Sequence, residues 1–484
     1  MALSCRSWQQ EGALRMLMNS LDPEVAEEPE ALFVSGRAGR PARNWAEFQA
    51  ILSALRELEA DQTLLVRPGE PPQTLRTGSD APRAVVSGAS WSQVGTQGVL
   101  PTTYELFAAV ARRHFGGTLA GRLVISGGMG GAGGAQPLAA TWNGAAFLGI
   151  DVDAERIKRR VKMGYCDLLV NHLDEALRIL KNAVRKHETA SVGLIGNCAD
   201  LLPELARRGV VPDVLTDQTS ADDPAGGYVP AGVATEQAVE WRHRDPGGYR
   251  LRVQESIAAH VQGMLDLQKL GAVAFEYGNH IRSLARAHGV AQADDLADGV
   301  GTYLQPLCDE GRAPLLWVGL SGDPADIARI DQLARERFPS DEALHRWLSL
   351  SSWISRFQGL PARVCWLERS GQASFCADVN ELVSRGELQA PVAIVRHTLA
   401  GLHPVCAPTI SEGGIAAAHR LQATDELASE AELLPEAHGA SWVATCPDKN
   451  GRAHISEWGV VADGTHAMAQ RIHQIFTYSA GANP

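Results

Sequence analysis

No C-x-x-C pair occurs in this chain. Its eight cysteines stand singly at positions 5, 166, 198, 308, 365, 376, 406 and 446. That spacing excludes a zinc ribbon and a disulfide framework, and it suits a reducing cytoplasm, where most cysteines are small buried hydrophobes. Long apolar runs are missing too, and none approaches the ~20 residues that cross a bilayer. The N-terminal MALSCRSWQQEGALRM is broken by Arg, Gln and Glu, so it lacks the apolar core of a secretory signal. Positive charge is in deficit: 44 Lys and Arg face 56 Asp and Glu, for a net charge of −12. This argues against a nucleic-acid or anionic-membrane surface. A small anionic substrate needs only local cations and stays open. No internal repeat or low-complexity tract stands out. The expectation is a cytoplasmic globular chain of 484 residues, 45% hydrophobic and 21% charged, long enough for two or more domains.

What is present is glycine, concentrated in SGGMGGAGG from Ser126 to Gly134. The run follows the apolar Leu123-Val124-Ile125 and precedes a helix-like segment, AQPLAATWNGAA; a second apolar run, FLGI, ends at Asp151. Gly128, Gly130 and Gly133 fit G-x-G-x-x-G, with an acid at about the expected ~20 residues. Glycines allow a tight turn and close approach to a pyrophosphate, the following helix offers free N–H groups, and the acid can bind ribose hydroxyls. The plainer alternative is a flexible glycine loop.

Apolar spacing predicts a helix from Trp45 to Asp61 and an amphipathic helix from Tyr104 to Phe115. A short helix capped near Ser20 or Asp22 is expected to lead into a strand ending at Val34. The strands TLLV and RAVV are expected around a polar loop, RPGEPPQTLRTGSDAP. From about Trp91 to Gln305 strand and helix alternate. LVIS, the glycine loop, its helix and FLGID form one β-α-β unit. SVGLI, the loop GNCA, the helix DLLPELARRG and the strand DVLTDQ repeat the pattern. Such alternation implies α/β architecture with a parallel sheet, whose ligands sit at the carboxyl ends of the strands. Gly128–Gly134, Asp151, Gly196–Cys198 and Gln218–Ser220 then share one edge. Asp323 and Pro324 are expected to start a helix running to Phe338.

Long collinear blocks in this chain resemble urocanase (urocanate hydratase). They include LRMLMNSLDPEVAE, GRPARNW, VGTQGV, HFGGTLAGRLVISGGMGGAGGAQPLAAT, GNCADLLPELARRGVVPDVLTDQTSADDP, FEYGNHIR, LSGDPADI and FQGLPARVCW. The resemblance implies a Rossmann-like NAD-binding domain at 91–304, inserted in a discontinuous mixed α/β core formed by 1–90 and 305–484. It implies a homodimer, and a tightly held NAD+ that is not consumed. In that family the nicotinamide C4 is an electrophile attacked by the imidazole of urocanate; water then adds to the ring, and no net hydride moves.

By the same resemblance, Gly131, Ala132 and Gly133 hold the cofactor phosphates, with Ala132 where the family has Met. Asp151 stands where the family has a ribose-binding Glu, and Arg156 follows a turn later. The cofactor set continues with Asn197 and Cys198 (Asn-Ala in the family), Gln218, Thr219, Ser220, Ala221 and Asp222 (His in the family), Tyr228, Val229 and Tyr277. Cys365, in the context PARVCW, matches the family's active-site cysteine, with a role in proton transfer or positioning. No metal is expected.

The departures cluster on the substrate side. Ser35-Gly36-Arg37 replaces Tyr-Gly-Gly, and the segment carrying YGQMTAG is missing before Trp91. Leu316 stands where an Arg is expected to meet the substrate carboxylate. Arg396-His397-Thr398 replaces Arg-Asp-His, an expected Arg aligns near Ile410, and CPDKNGR replaces HHGGGVG. Arg37 or Arg396 is the candidate replacement for the carboxylate cation; His397 is either a substrate contact or an ordinary surface histidine. These changes point to a urocanase-type hydratase acting on a modified urocanate, such as S-methylthiourocanate or thiourocanate from ergothioneine breakdown. The alternatives are urocanate hydratase itself, an NAD-dependent dehydrogenase, and an inactive NAD-binding protein.

Overall fold

Ser7 caps the first helix, α1 (Trp8–Asn19), by accepting the Gln10 N–H on its hydroxyl. A computed structural model describes residues 3–34, 41–67, 70–78, 81–87, 90–221, 227–352, 357–397, 439–447 and 453–478. After α1 the expected helix at Ser20 or Asp22 is absent. The Asp22 carboxylate caps a single turn through the Glu24 N–H at 2.8 Å, and Pro29 begins a separate 3₁₀ turn ending at Ala31. The strand expected to end at Val34 is reduced to one bridge between Glu28 and Phe33. Helix α2 (Trp45–Glu57) forms as expected, capped by Asn44, with Phe48, Ile51, Leu52 and Leu55 buried along one stripe. Strands β1 (Gln62–Val66), β2 (Gln73–Arg76) and β3 (Ala84–Ser87) follow. The loop expected between the two predicted strands contains β2, an exposed edge strand whose outward side chains leave no hydrophobic pattern to read.

Helix α3 (Thr96–His114) starts earlier than its periodicity indicated and contains Pro101. The chain divides into two units: Thr102–Pro306 forms one, and Met1–Pro101 joins the described residues from Leu307 onward in the other. In the middle unit, the elements are β4 (Leu123–Gly127), α4 (Gln136–Trp142), β5 (Ala146–Asp151), α5 (Ala154–Lys162), β6 (Leu168–Val170) and α6 (Leu173–Lys186). They continue with β7 (Ala190–Ile195), α7 (Cys198–Arg207), β8 (Val214–Asp217), α8 (Thr235–Arg244), α9 (Pro246–Lys269), β9 (Val273–Glu276), α10 (Ile281–Ala287) and β10 (Ala297–Asp298). The strand order is β10-β9-β8-β4-β5-β7-β6, with every pairing parallel. After β4 the chain builds outward on one side, then crosses back to lay β8 on the other. The reversal opens a crevice at the carboxyl ends of β4 and β8.

The flanking unit continues with α11 (Gln305–Asp309), β11 (Arg312–Gly319), α12 (Pro324–Arg337), α13 (Glu342–Ser351), β12 (Ala362–Glu368), α14 (Arg369–Ser384), β13 (Val392–His397), β14 (Trp442–Pro447), β15 (Ala453–Ala462) and α15 (His466–Tyr478). Asp323 caps α12 through the Ala325 N–H, with Pro324 at the first helical position, as expected. Eight strands form one mixed sheet in the order β12-β11-β13-β15-β14-β3-β1-β2. Its amino-terminal and carboxyl-terminal strands meet in the parallel β3–β14 pair. One core buries Leu17, Ile51, Leu64, Val86, Leu316, Val395 and Trp442 together, so residues far apart in sequence share one hydrophobic interior. Among the described residues, no helix is long and apolar enough to cross a membrane.

Candidate functional site

The turn after β4 is drawn tightly against β8. Gly127 aligns with Asp217 in the parallel register, and Gln218 donates its N–H to the Gly127 carbonyl at 2.8 Å. Gly128 turns with φ +83°, and a Cβ there would overlap the carbonyl of Gln218. A Cβ at Gly133 would in turn overlap the Gly128 carbonyl. Two glycines therefore serve the packing of the turn itself. The turn runs through Gly131 and Ala132 into a 3₁₀ segment, Gly133–Ala135, before α4. The helix behind the loop is thus shorter than the sequence suggests.

Asp151, at the end of β5, closes on this turn. Its Oδ2 accepts the Met129 N–H at 2.6 Å and its Oδ1 accepts the Asp153 N–H at 2.9 Å. Burial pushes its carboxyl up from the usual range, opposed by the nearby Arg156 guanidinium. Asp151, Arg156, Asn197, Cys198, Thr219, Ser220, Tyr228 and Val229 line one cleft with Gly128. Asn197 caps α7 through the Ala199 N–H and donates its side-chain amide to the Val229 carbonyl at 2.9 Å. Ala221, next to the lining Ser220, is buried, and so is Tyr277. Gln218 donates its side-chain amide to the Tyr277 carbonyl, and the Tyr277 hydroxyl meets Thr103 Oγ1 at 3.3 Å. Asp222 lies outside the described residues.

These cofactor-side residues fit a nucleotide on two counts. The cleft stands at the chain-reversal point, where open α/β sheets take ligands. The Asp151 carboxylate lines the same cleft, and beyond the two backbone N–H groups it accepts it keeps lone pairs for a ribose hydroxyl.

Beneath the cleft wall lies a polar cluster that carries no sequence motif. Asp217 Oδ2 accepts from the Asn279 amide and from Thr219 Oγ1, the latter at 2.7 Å. His260 of α9 places Nε2 at 3.3 Å from Asp217 Oδ1, and its Nδ1 at 3.2 Å from the Tyr228 hydroxyl. His260 sits inside a long helix with no local sign of its role, and only the fold brings it to Asp217.

The flanking unit holds the remaining candidates. Cys365 is fully buried on β12, and burial, reinforced by the Asp331 carboxylate, pushes its thiol well above the usual range. It is a neutral thiol, held beside the Arg363–Asp331 ion pair (2.8 Å). Leu316 is buried in the apolar core. Arg396 and His397 are neighbours on β13, so their side chains leave opposite faces of the sheet. Burial, then the like charge of Arg369, brings the Arg396 guanidinium down to about 10, opposed by the Cys376 and Cys308 sulfurs. His397 stands directly across from Glu457 of β15, its Nε2 at 3.6 Å from the Glu457 carboxylate. Glu457 also accepts from the Ser90 and Ser92 hydroxyls at 2.6 and 2.8 Å. His397 is half-buried and borders the buried polar cluster around Glu457. Ser35, Arg37, Thr398, Ile410 and the loop 448–452 lie outside the described residues.

Comparison with family models agrees with the topology from end to end. The urocanase N-terminal domain matches residues 1–124, the urocanase Rossmann-like domain 95–303 and the urocanase C-terminal domain 306–482. Together they account for both the parallel-sheet unit and the mixed-sheet unit, and the chain belongs to the urocanase family.

Proposed function

We propose that this chain is an NAD+-dependent hydratase of a urocanate-type imidazole acrylate, and that its substrate carries a modified ring, as in S-methylthiourocanate or thiourocanate. The observation that carries the hydratase reading is the match of all three urocanase domains along one chain. The substrate reading rests on the departures at Ser35–Arg37, before Trp91, at Leu316 and at Arg396–Thr398. Losing a buried Arg–carboxylate contact costs on the order of 2–5 kcal/mol, so several such losses together require another cation or another ligand.

Gly131–Gly133 would hold the cofactor phosphates. Asp151 and Arg156 would hold a ribose: each Asp151 oxygen accepts one backbone N–H and keeps a further lone pair for a hydroxyl. Asn197, Cys198, Gln218–Asp222, Tyr228, Val229 and Tyr277 would wall the remainder. When bound, NAD+ supplies an electrophilic ring that withdraws electrons from the imidazole. Cys365, as a neutral thiol, can deliver or hold a proton and needs no nucleophilic attack. Arg396 or Arg37 would take the substrate carboxylate, and a homodimer with the 91–304 domain inserted in the 1–90/305–484 core completes the proposal. Urocanate itself is the second reading, favoured by the length of the family match.

The test is incubation with S-methylthiourocanate while following the alkene and NADH absorbances together. Loss of the alkene band with no NADH band is expected. Stoichiometric NADH release would establish a dehydrogenase instead.

A further inference from the structure

We infer that Cys198, Asp217 and His260 form a binding site for a thiophilic divalent cation of the Zn²⁺ class. The three residues begin α7, end β8 and sit within α9, and one donor atom from each lies within 4.8 Å of the others. All three are buried. Zinc binds sulfur at about 2.3 Å and nitrogen or oxygen at about 2.0–2.2 Å, so only small side-chain rotations are needed to close this triangle on an ion.

The surroundings leave the inward atoms available. The Tyr228 hydroxyl engages His260 Nδ1 at 3.2 Å, which is how an outer partner fixes a metal-binding imidazole. Asn279 and Thr219 occupy Asp217 Oδ2. The two atoms turned toward each other, His260 Nε2 and Asp217 Oδ1, are buried and make no well-formed hydrogen bond. A cation between them and the sulfur satisfies both.

The charge balances as well. A thiolate, a carboxylate and a neutral imidazole offset a divalent ion, leaving no net buried charge. Binding releases the Cys198 proton to solvent, a proton that burial and the Asp217 carboxylate otherwise hold firmly on the sulfur. A thiol, an imidazole and a single carboxylate select against Mg²⁺ and Ca²⁺, which take oxygen ligands. Cys198 also lines the cleft, which gives the ion a way in and its fourth position room for water. Because the site ties three elements together, its occupancy stabilises this unit.

Cobalt(II) titration of the purified full-length protein tests this. A thiolate-to-cobalt charge-transfer band saturating at one ion per chain is expected, displaced by Zn²⁺, with a Zn²⁺-dependent rise in Tm. Cys198→Ser should lose the band while melting as the parent does without metal. Tyr228→Phe should weaken binding about tenfold. No band in the parent, or a band unchanged in Cys198→Ser, overturns the site and assigns the Asp217–His260 contact to packing alone. The readout is independent of catalysis, so it stands or falls separately from the hydratase reading.

Discussion

The Asp151 carboxylate accepts the Met129 N–H at 2.6 Å, fastening the end of β5 to the glycine turn after β4. The same carboxylate receives the Asp153 N–H at 2.9 Å, so one buried side chain organises both sides of the cleft mouth. Asp151→Ala leaves two backbone donors without their acceptor. Stability should fall by about 1–3 kcal/mol for each donor left buried, read as a lower urea midpoint, and copurifying NAD should be lost. Asp151→Asn keeps one acceptor and should fall between Ala and the parent.

The glycine turn was legible in sequence because its demands are local. Gly128 needs a positive φ and contact with the Gln218 backbone, and residues without Cβ atoms announce both. The parallel sheet was legible from alternation alone. His260 was not legible: one of 15 histidines, it gains meaning only when α9 meets the end of β8. Strand β2 was hidden because its side chains all face solvent. The separation of Arg396 from His397 follows from strand period, yet it matters only once β13 is known to run through both residues.

Burial lowers the His397 imidazole from its usual 6.5, against the pull of Glu457. The folded pKa lies below the unfolded one, so the unfolded chain binds the proton more readily. The His397 contribution is therefore complete above pH 6.5 and lost as the pH falls through the folded value. Melting temperature should drop with acid over that window, and His397→Gln should flatten the slope. An identical slope in the variant would place the acid sensitivity elsewhere.

Cys365 should resist alkylation at neutral pH, because it is buried and holds its proton. Iodoacetamide followed by peptide mass spectrometry should label the less buried Cys308 first. With a proton-transfer role, Cys365→Ala should lower kcat by about 10²–10⁴-fold with KM little changed. An equal loss in KM would assign the thiol to positioning.

A substrate panel tests whether the chain hydrates a modified urocanate. Urocanate, thiourocanate and S-methylthiourocanate should be compared by kcat/KM from the decay of the alkene absorbance, with products identified by mass. Water addition to a sulfur-bearing substrate is expected, with kcat/KM well above that for urocanate and no NADH formed. Turnover of urocanate alone would contradict it.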